Sequence, residues 1–180
     1  MILEQNNCLI LVIDIQEKLL NAVFNKENLK KNSTIMIKSA NILEIPLFIT
    51  EQYPQGLGET VCFLKDTAKN AQYYIKNDFN ALNDSNLLEE LKLSGKKQVL
   101  VLGIETHICV YQTILALLDN GFDVTVIKDS CGSRQEKEYL SALDCIRNNG
   151  AQIKTTEMVL FELLKSAKHP KFKEIQQLIK

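Results

Sequence analysis

Short runs of unbroken apolar residues alternate along the chain with longer stretches in which apolar positions recur every three or four residues. The first kind predicts strands covered on both faces of a parallel sheet, and the second predicts the amphipathic helices that cover them. Strands are expected at 8–13, 47–49, 72–75, 99–102 and 124–127, with 152–153 as the weak core of a sixth. Helices are expected at 16–24, 27–43, 87–93, 136–148, 157–164 and 171–179. A further helix, capped by Thr106 and running through Leu118 to a stop at Asn120-Gly121, follows the fourth strand directly. The stretch 53–58, Tyr-Pro-Gln-Gly-Leu-Gly, has the turn residues of an irregular loop. Strands alternating with helices through right-handed crossovers give an open, mostly parallel six-stranded sheet between two helical layers, a Rossmann-like three-layer α/β/α sandwich. No repeat, low-complexity run or linker interrupts the pattern, so residues 1–180 are expected to form one domain.

Composition narrows the class of partner. The 180 residues carry a net charge of −1 with acids and bases interspersed, which argues against a nucleic-acid groove or an anionic membrane surface. The apolar runs are far too short to span a membrane. A small-molecule substrate is the better expectation. Five cysteines, at 8, 62, 109, 131 and 145, are odd in number and form no CxxC pair. With no hydrophobic leader ahead of the first strand, they point to a cytoplasmic protein. Cys8, Cys62 and Cys145 lie in apolar contexts and are expected in the core.

In open α/β sheets ligands bind beyond the carboxyl ends of the strands. Three reactive side chains fall there: Asp14 after the first strand, Lys76 after the third and Cys109 just past the fourth. Alone, each has an ordinary reading, as a helix cap, a surface charge and a small buried hydrophobe. Together they supply a nucleophile, a proton acceptor and a cation. Cys109 is expected near the third position of its helix, where free N–H groups and the helix dipole would lower the thiol pKa.

The segments VIDIQ at 12–16, IKNDFNAL at 75–82 and GIETHICV at 103–110 resemble, in order and spacing, the motifs of the isochorismatase-like cysteine hydrolase superfamily. TEQYPQGLGETV at 50–61 and the tail HPKFKEIQQLIK at 169–180 are similar to its isochorismatase domain-containing branch. Asn80 departs from the serine usual at that place, and the neighbouring pocket is expected to differ. The resemblance implies an isochorismatase-like hydrolase fold and a triad of Asp14, Lys76 and Cys109, with Asp14 as the proton carrier. It also implies a cis peptide between Ile104 and Glu105, and an oxyanion hole made by the backbone N–H groups of Glu105 and Cys109. It implies neither cofactor nor metal: metal-binding relatives place Asp and His after the second strand, where this chain reads Glu51-Gln52-Tyr53-Pro54. Only His107 and His169 occur anywhere. The superfamily tends to form homo-oligomers, and the apolar tail positions Phe172, Ile175, Leu178 and Ile179 are a surface that a partner copy could cover.

Superfamily members that cleave a vinyl ether by acid catalysis typically lack the cysteine. Cys109 therefore favours hydrolysis of a small amide-type C–N bond through a thioester. Two alternatives stand beside it: an isochorismatase-type ether hydrolase with an incidental cysteine, and a non-catalytic scaffold that keeps the fold. Gln16, Glu51, Gln52 and Tyr53 are candidates for the pocket wall. Glu105 is expected to contribute its backbone, and Asp129 and Ser130 to cap the next helix. Nucleotide binding has no support, since neither GxGxxG nor GxxxxGK[ST] follows any strand.

Overall fold

The computed structural model describes residues 2–83 and 86–180. The strands are β1 (Cys8–Ile13), β2 (Leu47–Gln52), β3 (Gln72–Lys76), β4 (Gln98–Ile104), β5 (Asp123–Gly132) and β6 (Gln152–Lys154). All pairings are parallel, in the order β3-β2-β1-β4-β5-β6. The order reverses between β1 and β4, so a crevice opens beyond the carboxyl ends of those two strands. β1 and β4 are buried along their whole length, as continuous apolar runs in the middle of a doubly covered sheet must be. Cutting one of these leucines or isoleucines back to alanine would cost about 2–5 kcal/mol.

The helices are α1 (Glu17–Ala22), α2 (Lys26–Leu43), α3 (Pro54–Leu57), α4 (Cys62–Lys65), α5 (Leu87–Leu93), α6 (Tyr111–Asp119), α7 (Glu136–Asn148), α8 (Thr156–Leu164) and α9 (Phe172–Ile179). α2 packs with α1, α4, α8 and α9, while α6 and α7 pack together on the opposite layer, giving the expected three-layer sandwich. No helix among the described residues is long and apolar enough to cross a membrane.

Several expectations need correction. The loop at 53–58 contains the short helix α3, started by Pro54 at its first position. Thr106 does not cap a helix. It opens a π turn, Thr106–Val110, that precedes α6, and its buried hydroxyl makes no hydrogen bond among the described residues. Cys109 is therefore the fourth residue of a π turn rather than the third of an α-helix. Cys62 and Cys145 are exposed, because they sit on the outward faces of α4 and α7. The tail folds back on its own chain, with Ile175 fully buried and Phe172, Leu178 and Ile179 packed partly buried against the same core.

Candidate active site

β1 ends at Ile13, and the chain turns at once through Asp14 at φ 51°. Aspartate tolerates this left-handed conformation better than most side chains do. The turn is closed by Gln16 N–H donating to the Asp14 carbonyl (2.8 Å). It aims a fully buried carboxylate along the crevice. One oxygen, Oδ1, accepts from Thr50 Oγ1 (2.7 Å), and the other, Oδ2, lies 2.7 Å from Lys76 Nζ in an ion pair with no side-chain exposure on either partner. A buried charge of either sign would be costly alone, and the pairing with added hydrogen bonds is what makes it tolerable.

Lys76 closes β3 at the sheet edge, yet its side chain runs inward. Besides Asp14, its ammonium donates to Gln52 Oε1 (2.6 Å) and to the Asp78 carbonyl (3.2 Å). The ammonium is thus held by one ion pair and two hydrogen bonds, and it also interacts with Cys109. Gln52 is held in turn: its Nε2 donates to the Asn77 carbonyl (2.6 Å), and its backbone N–H donates to Gln16 Oε1 (2.7 Å). Gln16 Nε2 donates to the Gln52 carbonyl (2.9 Å) and to the Gly58 carbonyl. Gln16 thus ties the ends of β1 and β2 to the loop beyond α3.

Cys109 is buried and interacts with both Asp14 and Lys76. Its thiol is pushed up to about 12, first by burial and next by the negative charge of Asp14, while Lys76 pulls it down. The lowered pKa expected from a helix terminus is overridden, because desolvation outweighs the dipole of one irregular turn. The resting site pairs a neutral thiol with a carboxylate.

The Ile104–Glu105 peptide is cis. The Glu105 carbonyl accepts from Ile108 N–H (3.0 Å) and Val110 N–H (3.3 Å), which starts the π turn. Among the other rim residues, Glu51 Oε1 accepts from Thr60 N–H (2.6 Å), a bond internal to the fold. Tyr53, also left-handed at φ 38°, donates its N–H to the Lys76 carbonyl (3.0 Å) and keeps an exposed ring. Asp129 Oδ1 accepts from Thr156 N–H (2.8 Å) and Oγ1 (2.9 Å), so it serves the start of α8 rather than that of α7, the next helix in the chain. Ser130 Oγ shares a hydrogen bond with Thr156 Oγ1 (3.1 Å). His107 Nδ1 faces Ser133 Oγ at 3.0 Å. Among the described residues no group of three or more His, Cys, Asp or Glu could hold a metal ion.

Two partners were not anticipated from the sequence. Thr50 hydrogen-bonds Asp14, and the signal for it was available, since Ile13 and Thr50 are register partners at the ends of adjacent strands. Arg134 binds Glu105 from beyond β5, and no sequence spacing announces that pair.

Residues 8–158 match the isochorismatase domain family. Isochorismatase family protein 1A of Dictyostelium discoideum is 41% identical over 96% of this chain and 86% of its own. Isochorismatase domain-containing protein 2 of Xenopus laevis is 38% identical over 98% of this chain and 85% of its own. Among solved structures, one described as the MAR1 ribonuclease of Caenorhabditis elegans superposes with a TM-score of 0.94 at 35% identity, over 99% of this chain and 92% of that one. YcaC of Pseudomonas aeruginosa, solved with hexane-2,5-diol and covalent acrylamide, gives 0.93 at 27% identity, covering 98% and 91%. YcaC of Escherichia coli, described as an octameric hydrolase of unknown specificity, gives 0.90 at 27%, covering 99% and 95%.

Proposed function

This chain belongs to the isochorismatase family, and from that premise we propose that it is a metal- and cofactor-independent cysteine hydrolase cleaving a small amide-type C–N bond. The observation that carries the reading is the meeting of Asp14, Lys76 and Cys109 in one buried cluster, from three separate strand ends. YcaC of Pseudomonas aeruginosa was solved with covalent acrylamide, an electrophile that thiols attack at its alkene, which supports a reactive nucleophile in such relatives.

The steps follow from the charges. As Cys109 sulfur attacks the carbonyl carbon, its proton passes to Asp14, so the thiolate need never exist free in a site that disfavours it. The developing oxyanion is received by the backbone N–H groups of Glu105 and Cys109. Collapse breaks the C–N bond, Asp14 returns the proton to the leaving nitrogen, and a thioester remains. Asp14 then takes a proton from water as it attacks, and gives one back to the departing sulfur. Lys76, ion-paired with Asp14 and hydrogen-bonded to Gln52 and the Asp78 carbonyl, holds the negative charge in place rather than carrying protons. Of the four pocket-wall residues, Tyr53 has a ring free to meet substrate, while Gln16, Glu51 and Gln52 position the rim.

Residues 1–180 form one domain in this reading. It assembles as a homo-oligomer, supported by the exposed apolar residues Tyr73, Ile75 and Phe79 at the β3 edge and by the octameric relative. Five unpaired cysteines favour the cytoplasm. The test is a panel of small amides, isochorismate and an RNA oligonucleotide offered to wild type and Cys109→Ala, with intact mass measured during turnover. Amide hydrolysis with an acyl adduct on Cys109, both lost in Cys109→Ala, is expected. Turnover of any of the three classes that persists in Cys109→Ala defeats the thioester route.

A further inference from the structure

The buried carboxylate of Glu105 takes no part in the proton transfers above, yet it lies immediately before the turn that carries Cys109. Its side chain is 9% exposed, and Oε2 accepts two hydrogen bonds from one residue, Arg134: from the backbone N–H (2.9 Å) and from Nε (3.0 Å). The Arg134 side chain is 61% exposed, so solvent screens its guanidinium, and the backbone N–H is the fixed part of the contact. At its other end, Glu105 accepts from Ile108 and Val110 through its carbonyl. The same residue thus opens the nucleophile turn and fastens it to the segment after β5.

A second tie runs in parallel. His107, inside the turn, meets Ser133 Oγ at 3.0 Å, and Ser133 is fully buried and accepts from Phe24 N–H through its carbonyl (3.1 Å). Residues 133–134 therefore form an anchor fixed to the chain beyond α1, and the turn is strapped to it at two successive odd positions, 105 and 107. This matters because a π turn lacks the regular ladder that would hold Cys109 in an α-helix. Its aim toward Asp14 has to come from outside the turn. We infer that Glu105 is a positioning residue, whose carboxylate, bound to Arg134, sets the placement of the Cys109 sulfur against Asp14.

The inference rests on Cys109 being the nucleophile, and two readouts separate the claims. The first is the rate at which acrylamide forms an adduct on Cys109, followed by mass across pH. The second is hydrogen exchange of the amides at 105–111, which does not depend on reactivity. Glu105→Ala should slow the adduct roughly ten- to a hundredfold, as expected for a displaced reacting atom. It should also raise exchange at 105–111 while leaving β1 and β4 protected. Glu105→Gln, which keeps an acceptor for the Arg134 N–H, should restore most of both. If wild type forms no adduct at Cys109, the nucleophile reading fails and exchange alone decides the strap. Unchanged exchange at 105–111 in Glu105→Ala overturns the inference, as does a wild-type adduct rate in that variant or a Glu105→Gln variant no better than Glu105→Ala.

Discussion

At the scale of single residues, the site is governed by the competition between burial and two opposite charges around one sulfur atom. Burial and Asp14 hold the Cys109 thiol up near 12, and Lys76 opposes them. Replacing Asp14 with asparagine removes a raising influence and leaves the lowering one. The thiol pKa should fall, the thiolate fraction at neutral pH should grow, and alkylation of Cys109 by iodoacetamide should become several-fold faster. If Asp14 carries the proton as proposed, hydrolysis should nonetheless drop by about a hundredfold or more. These two effects have opposite signs, and both are read on one preparation, by labelled-peptide mass and by product release. Slower alkylation in Asp14→Asn would mean that Asp14 assists sulfur attack in every reaction and that the charge balance described here is wrong. That Asp14, Lys76 and Cys109 meet was legible in the sequence, because each ends a strand or follows one on the same rim. The direction of the Cys109 shift was not, since position near a helix start is visible in a sequence while the depth of a side chain is not.

At the scale of elements, the reactive crevice depends on how closely β1 and β4 approach where the strand order reverses. Gly103 pairs with Ile13 at that place, at φ 143°, and β4 breaks register with β5 between Val101 and Gly103. A Cβ on Gly103 would stand 2.1 Å from the Ile13 carbonyl oxygen and 2.8 Å from its carbonyl carbon, both backbone atoms that cannot swing aside. Gly103→Ala should therefore cost at least about 2 kcal/mol. For a chain of this size that lowers Tm by roughly 4–8 °C, measurable by thermal denaturation. A Tm within about 2 °C of wild type would show that the two strands can move apart freely. Element positions were largely legible: β1, α5 and α7 have the expected limits, because apolar runs and helical periodicity bear directly on burial. Strand β5 extends well past its apolar core, because Cys131 and Gly132 pair with Gly103 and Ile104 of β4 after an irregular stretch, 128–130, that carries no hydrophobic signal. The π turn was illegible for a related reason. Thr106-His107-Ile108-Cys109-Val110 reads as helix by periodicity, and its ties run from Glu105 and His107 to residues 133–134, just past the end of β5 and 26 to 29 residues further along the chain.

At the scale of the whole molecule, three thiols are enclosed in one core, and this makes the fold sensitive to alkali. Burial pushes Cys8 up to about 11, and Cys109 and Cys131 up to about 12, and it raises the Tyr139 phenol as well. In the unfolded chain these thiols ionise at an ordinary value, near 8.5. Between that value and the folded ones, the unfolded state binds fewer protons than the native state, so stability falls as pH rises. The slope is on the order of 1 kcal/mol per pH unit for each fully buried thiol and is absent below about pH 8. Cys131 isolates the effect, because it is completely buried, has its sulfur 3.9 Å from the Val101 carbonyl and takes no part in the proposed chemistry. Urea denaturation under reducing conditions from pH 7 to 10.5 should show wild-type stability dropping steeply above pH 9. Cys131→Ala should begin lower, by the cost of the space left behind, and decline less steeply over the same interval. The comparison rests on the difference in slope, which a cavity cannot change, since a methyl group has no proton to lose. Parallel curves for the two proteins would mean that Cys131 ionises as easily inside the sheet as in the open chain, and that the core admits water or cations where this structure shows only packed side chains.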